Sequence, residues 1–429
     1  MADAALTPWA ADVRAAHARL RARLPEGWPT AVSNAALESF LARGLPGTNV
    51  EEWRYTSLAP FAGRLGPALA AAADAAGAAA TDLPLAGVLK AAVPGPVLYL
   101  TDGRLGPPGP LPEGLQIRPA AELLPGFAPL GTSALGDLNA AFAHDGLNLA
   151  VAGTAGSDGM LLIHERATAA PVVGQPRIRL SLGDGSRLGI VLLATGDAGA
   201  TSNAVIEVEA GAGAVLRLVQ ISTGVAGAQR IARTELRLGQ GARAELTTID
   251  LGSSLSRHDL VAQLSGDDAS LDVAGLCVGP TGSHVDHHLD LQHTGRRTTS
   301  RTLYRSVVDG GGRVVFNGRI VVAVGAAGSD AALTNRNLLL GPGAEIDTKP
   351  ELEIYTDDVR CSHGATTGQL DPAALFYLRS RGVPAAEARR MLIGAFADEL
   401  LGRIGLPAAE GAVRDRIHAL LEAAGGPAA

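Results

Sequence analysis

The run DDVRCSHG holds the two side chains best suited by type and spacing to bind a metal, Cys361 and His363. In an extended strand residues i and i+2 share a face. That puts these two on one side and Asp358, Arg360 and Ser362 on the other. A thiolate and an imidazole are donors suited to iron, zinc or an iron–sulfur cluster. Two donors do not complete a site that normally needs four, so the pair would share it with another chain or hold its cargo transiently. Spacing alone equally allows a buried thiol beside a hydrogen-bonded imidazole.

A second cluster is HVDHHLDLQH, from His284 to His293. One face carries His284, Asp286, His288 and Asp290; the other carries Val285, His287, Leu289, Leu291 and His293. The first face resembles a ladder of metal donors, but polar residues at every second position are also the pattern of a solvent-facing strand. The solvent face is the preferred reading, with His293 in a partly buried, hydrogen-bonded position. Other chemistries lack their residues. There is no G-x-x-x-x-G-K-[ST] loop and no G-x-S-x-G elbow. The G-x-G pairs fall in strand-to-strand turns and not before helices, against a dinucleotide fold. Asp357 and Asp358 are neighbours that point to opposite faces, so they cannot flank one glycosidic bond. The chain is expected not to be a self-contained enzyme.

The elements that must position these residues follow from a repeat. LGDGSRL, AGAGAVL and LGQGARAEL place Gly183, Gly211 and Gly239 at a step of 28 residues. Further copies follow at SGDDASL, DGGGRVV and LGPGAEI. In each, a strand enters (RIRLSL, AVIEVEA, RTELRL), a Gly-rich turn follows and a second strand leaves (RLGIVLL, VLRLVQI, AELTTI). Such a unit cannot bury its own apolar face and must stack on its neighbours. A parallel β-helix and a string of antiparallel hairpins both satisfy that; the even step and the glycine turns favour the β-helix. The expected fold is therefore mainly β, a right-handed parallel β-helix over residues 151–370. An α-rich N-terminal domain, 1–150, and a C-terminal helical domain, 371–429, flank it. In the last of these Asp371 is a good N-cap with Pro372 behind it. Helical spacing is also expected for Trp9–Leu24, for Ala31–Ala42 with Thr30 as cap, and for Leu135–Gly146.

Composition narrows the class. Apolar residues make up 47% and charged residues 18% of 429, as in a folded globular chain. Aromatics are only 3%, so Val, Leu, Ile and Ala must build the core. A formal charge of −7 argues against a nucleic-acid coat. Two cysteines make no disulfide framework and fit reduced thiols in the cytoplasm. The apolar tract Pro67–Val93 is broken by Asp74, Asp82, Pro84 and Lys90, so no membrane span is expected. The opening MADAALTPWAADVRAA has no basic and apolar regions of a signal peptide.

Several segments resemble the SufB/SufD family of iron–sulfur cluster assembly scaffolds, on its SufD side. They are NVEEWRYTSL, TTSRTLYRSVVDGGGRVVFNGRIVV, TNRNLLLGPGAEIDTKPELEIYTDDVRCSHGATTGQLD and LFYLRSRGVPAAEARRMLIGAFADEL. The likeness is clear from Gly282 to Leu401, with shorter matches at residues 49–58 and LNAAFAHDG. DDVRCSHGAT is its most specific run, because SufB carries a different acidic sequence around the equivalent histidine. The resemblance implies a non-catalytic scaffold that pairs with SufB through the ends of their β-helices. It also implies that the C-terminal helices dock SufC, an ABC-type ATPase, around Phe376, Tyr377, Arg381 and Gly382. A transient cluster would form at the SufB interface, with His363 as this chain's ligand and Cys361 beside it. No tightly bound cofactor is implied for the chain alone. A homodimeric SufB-like scaffold and, from another class, a β-helix carbohydrate-active enzyme are the competing readings. The enzyme would need clustered carboxylates on one face.

Overall fold

In the computed structural model residues 8–72, 84–124, 128–152, 156–168, 172–225 and 227–424 are described. The repeat closes each coil with a tight turn. Gly185, Gly213 and Gly241 take the left-handed conformation there, at φ +69°, +64° and +63°. In the next two coils Asp268 and Arg297 adopt it instead, and the two side chains pair at 2.7 Å.

Every strand leaving these turns pairs in parallel with its counterpart one coil away. Val215–Gly224 lies between Arg187–Gly196 and Arg243–Asp250, with Val215 in register with Arg187 and Arg243. The entering strands stack likewise, Gln229–Leu238 between Thr201–Ala210 and Leu255–Leu264. Two ten-stranded sheets result, and the chain alternates between them. Parallel pairing from coil to coil excludes hairpins and makes the solenoid a parallel β-helix. Its interior is a column of buried Leu, Ile, Val and Ala running the length of the stack, from Leu98 and Leu100 to Ala331 and Leu333.

Both outer faces are covered. Val191, Leu193, Val219, Ile221, Leu276 and Val307 meet Ile393, Leu400, Ile404 and Val413 of the C-terminal helices. That explains why strands such as RLGIVLL lack alternation. The facing sheet lies under the N-terminal helices, where Phe40, Trp53, Phe61 and Leu138 pack on Ile231 and Leu255.

The first 150 residues are less purely helical than their composition implies. Val97–Thr101 joins one sheet through Gly156–Ala167, and Leu147–Val151 joins the other through Arg177–Leu182. At this end of the stack Arg104–Leu105 pairs antiparallel with Val97–Thr101, and Leu115–Ile117 with Leu147–Val151, which ends each parallel ladder. Thr30 is not a cap but the first residue of the helix Thr30–Arg43, which follows Pro29 without a side-chain cap. The helix Ala134–Phe142 is capped by Ser133, whose hydroxyl accepts from Gly136 N. The C-terminal helices are Pro372–Ser380, Ala385–Leu401 and Pro407–Ala424, and the Asp371 carboxylate accepts from Ala373 N at 2.8 Å. No helix among the described residues is long and apolar enough to cross a membrane.

Candidate functional site

The strands Glu345–Ile354 and Val359–Gln369 are the last of their two sheets, so each leaves one backbone edge without a partner strand. Side chains on Val359–Gln369 continue the columns of the coils before it. The interior column Ile190, Leu218, Leu246, Val273, Thr302, Leu333 ends in His363. The neighbouring column Leu188, Leu216, Ala244, Leu271, Ser300, Ala331 ends in Cys361. Cys361 and His363 thus occupy core-facing positions in a coil that has no coil above it. His363 is exposed, and Cys361 is half-buried against the end of the interior column, in register with Ala331. Arg360 and Ser362 alternate to the opposite side.

Burial pushes the Cys361 thiol up, opposed by a backbone hydrogen bond with Ala331. The thiol of the free coil is therefore the protonated form at neutral pH, and a metal would have to displace its proton. Among the described residues no three His, Cys, Asp or Glu side chains converge to hold a metal ion.

The helix Pro372–Ser380 begins directly beyond the open end and buries none of its residues. Phe376 is 74% exposed and Tyr377 57%. Arg381 lies over the Tyr377 ring at 5.2 Å, and Gly382 turns the chain at φ +87°. The helix packs on Ala385–Leu401 and half-buries Ala374, Leu375 and Leu378, so two adjacent exposed aromatics on its outer side are an unusual surface.

The HVDHHLDLQH strand departs from the solvent reading. Asp286 is fully buried because residues 51–56 of the N-terminal region lie across it. Arg257 donates to Asp286 Oδ2 at 2.6 Å and to the Glu52 carbonyl at 2.8 Å. Its guanidinium also stacks 3.8 Å from the Trp53 ring centroid. Thr56 Oγ1 donates to the same carboxylate at 2.5 Å, and His288 Nε2 lies 2.9 Å from its other oxygen. Burial alone would raise this carboxyl, but the Arg257 guanidinium and His288 hold it well below the usual carboxylate range. The segment WRYT, which carries no alternation of its own, was the missing signal; it supplies the cover. His293 is buried, its ring nitrogens 2.8 Å from Thr298 Oγ1 and 2.9 Å from Ser300 Oγ. Cys277, given no role by its sequence context, lies in the core with His287 and Tyr304, and burial pushes its thiol up.

Fold and site define a parallel β-helix whose open end presents a thiol and an imidazole on strands with an unpaired edge. The family profile described as SUF system FeS cluster assembly, SufBD core domain, matches residues 165–396, more than half of the chain. The chain belongs to the SufB/SufD family. It is 46% identical over 150 residues to the iron–sulfur cluster assembly protein SufD of Escherichia coli, covering 35% of this chain and 36% of that one. An iron–sulfur cluster assembly SufBD family protein of Synechocystis is 37% identical over 166 residues, 39% of this chain and 37% of the relative. The chloroplastic protein ABCI7 of Arabidopsis thaliana is 33% identical over 176 residues, 40% and 37% of the two chains. The matched part spans little more than a third of each of these relatives.

Proposed function

We propose that this chain is a non-catalytic scaffold for iron–sulfur cluster assembly, and that the open end of its β-helix is half of the assembly site. The observation that carries the reading is His363 at a core-facing position of an unstacked coil. In every earlier coil that position is filled and covered by the next coil. An exposed imidazole there, on a strand with a free edge, suits completion by a second β-helix that pairs edge to edge. The partner chemistry that fits is the SufB type, contributing a thiolate to a cluster that His363 helps to hold. Cys361, one position further along the same face, is the second candidate ligand or a packing residue of the joint. The cluster is cargo, formed at the joint and passed on, and the isolated chain holds none tightly.

Phe376, Tyr377, Arg381 and Gly382 are assigned to docking a SufC-type ATPase, which would supply the nucleotide hydrolysis for which this chain has no P-loop. The working place of such a complex is the cytoplasm. Co-expression with SufB and SufC, followed by mass measurement after size exclusion, tests the reading. A single species containing all three chains is expected. Elution of this chain alone, or only as its own dimer in the presence of both partners, would overturn it.

A further inference from the structure

Ile354 ends a core column of the facing sheet as His363 ends one of the other. The column runs through Leu238, Leu264, His293 and Val322, in register from coil to coil, and each of these is covered by the next member. All four are fully buried, whereas Ile354 is 43% exposed because no coil lies above it. The chain stays stacked for one residue beyond the strand, since Tyr355 N donates to the Val322 carbonyl at 2.9 Å. Tyr355 is 58% exposed, and its hydroxyl donates to Glu353 Oε2 at 3.2 Å. Val324, in the turn of the coil beneath, is 83% exposed. One corner of the open end therefore carries three large apolar side chains in water, where scattered single ones are ordinary and a cluster is not.

Charge at this corner is uncompensated as well. The acids of the strand Glu345–Ile354 have cations beside them: Arg313 on Glu345 and Asp347, Arg319 on Glu353, and Lys349 on Glu351. Asp357 and Asp358, in the turn after Tyr355, are exposed and form no ion pair among the described residues. Arg360, two positions on, acts on Asp330 instead.

We infer, on the reading of the open end as half of a two-chain site, that this corner anchors the joint. The partner's last coil meets it with an apolar side chain over Ile354 and Tyr355, and with Arg or Lys against Asp357 and Asp358. The column defines the cover that Ile354 lacks. In every coil below, that cover is a core-facing side chain of a further coil, so a coil from another chain supplies the same chemistry. The hydroxyl contact to Glu353 already orders the Tyr355 ring, which lowers the cost of burying it, and buried aromatic anchors carry much of an interface's energy. A second copy of this chain would satisfy the apolar part but would bring two more unpaired carboxylates to the joint. A chain with a basic corner is the better match.

Purified SufB is the probe, with its binding to the full chain followed by biolayer interferometry and the mass of the product checked by size exclusion. Val324→Ser/Tyr355→Ser, which leaves the core-facing Ile354 in place, should raise the dissociation constant at least about 30-fold, the effect of losing one strong anchor. Asp357→Asn/Asp358→Asn should slow association and flatten its salt dependence. Urea unfolding of the free chain should be unchanged in both, because every substituted side chain is exposed. If wild type and Val324→Ser/Tyr355→Ser bind SufB equally tightly, the anchor is overturned and the two-chain reading stands. If the wild type does not bind SufB, both fall. If the variant loses only self-association and keeps SufB, the corner belongs to a second copy, which likewise overturns the inference.

Discussion

Removing the guanidinium that joins the N-terminal region to the solenoid should unfasten that region. Arg257 and Asp286 are 2% and 1% exposed as side chains. Deleting one partner of such a pair costs about 3–5 kcal/mol, because the other charge stays buried. In Arg257→Met the Asp286 carboxylate keeps Thr56 and His288, which places the expected loss at the lower end, about 3 kcal/mol. The double variant Arg257→Met/Asp286→Ala removes the fully buried carboxylate and leaves only that of Asp259, 18% exposed as a side chain, so it should recover part of that loss. All three tryptophans, Trp9, Trp28 and Trp53, lie in the N-terminal region. Urea unfolding followed by tryptophan fluorescence therefore reports the latch, and far-ultraviolet circular dichroism reports the solenoid. The fluorescence transition should move to lower urea by more than the dichroism transition. The pH dependence has a definite sign. The Asp286 carboxyl is depressed in the folded chain, so its contribution is present above the unfolded carboxyl value of about 3.9 and is lost as pH falls through the folded one. Titration from pH 7 to 5 should leave this contribution unchanged. A loss below about 1 kcal/mol in Arg257→Met, or a double variant as unstable as the sum of its singles, would refute the account of the latch.

Other consequences can be checked in the same preparations. Burial lowers His293 to about 4, so the unfolded chain takes up its proton first, near 6.5. Its contribution is full above pH 6.5 and declines towards pH 4 by up to about 3 kcal/mol; His293→Gln should flatten that part of the stability–pH curve. A Cβ at Gly275 would lie 2.1 Å from Tyr304 Cε1 in the next coil, so Gly275→Ala should cost about 1–3 kcal/mol in urea unfolding. Phe376→Ser/Tyr377→Ser should leave stability within about 0.5 kcal/mol of wild type while abolishing co-purification of the ATPase subunit.

What the sequence disclosed depended on whether local pattern or remote cover decided the outcome. The 28-residue step and the glycine turns are local, and they suffice for the stacked coils, because Gly185, Gly213 and Gly241 each meet the same backbone requirement. Asp371 and Pro372 mark their helix for the same reason. The placing of Cys361 and His363 on one face follows from alternation alone. Asp286 departs from the solvent-face pattern because its cover comes from residues 51–56, some 230 positions away, and alternation cannot distinguish water from a folded-over segment. Within the first 150 residues the run PVLYL is legible as a strand, but its partner in Gly156–Ala167 is not. That the terminal coil is uncovered could be inferred only from the start of the helical domain at Asp371. The structure adds that His363 closes a column otherwise filled by Ile190, Leu218, Leu246, Val273, Thr302 and Leu333.

The central claim concerns that position. Iron and acid-labile sulfide should be measured on the complex proposed above, this chain co-expressed with SufB- and SufC-type partners, comparing wild type with His363→Ala. Because His363 is exposed in the free chain, the variant should fold and assemble as the wild type does. The account predicts an assembled complex that forms no cluster. Wild-type iron and sulfide content on the His363→Ala complex would contradict it.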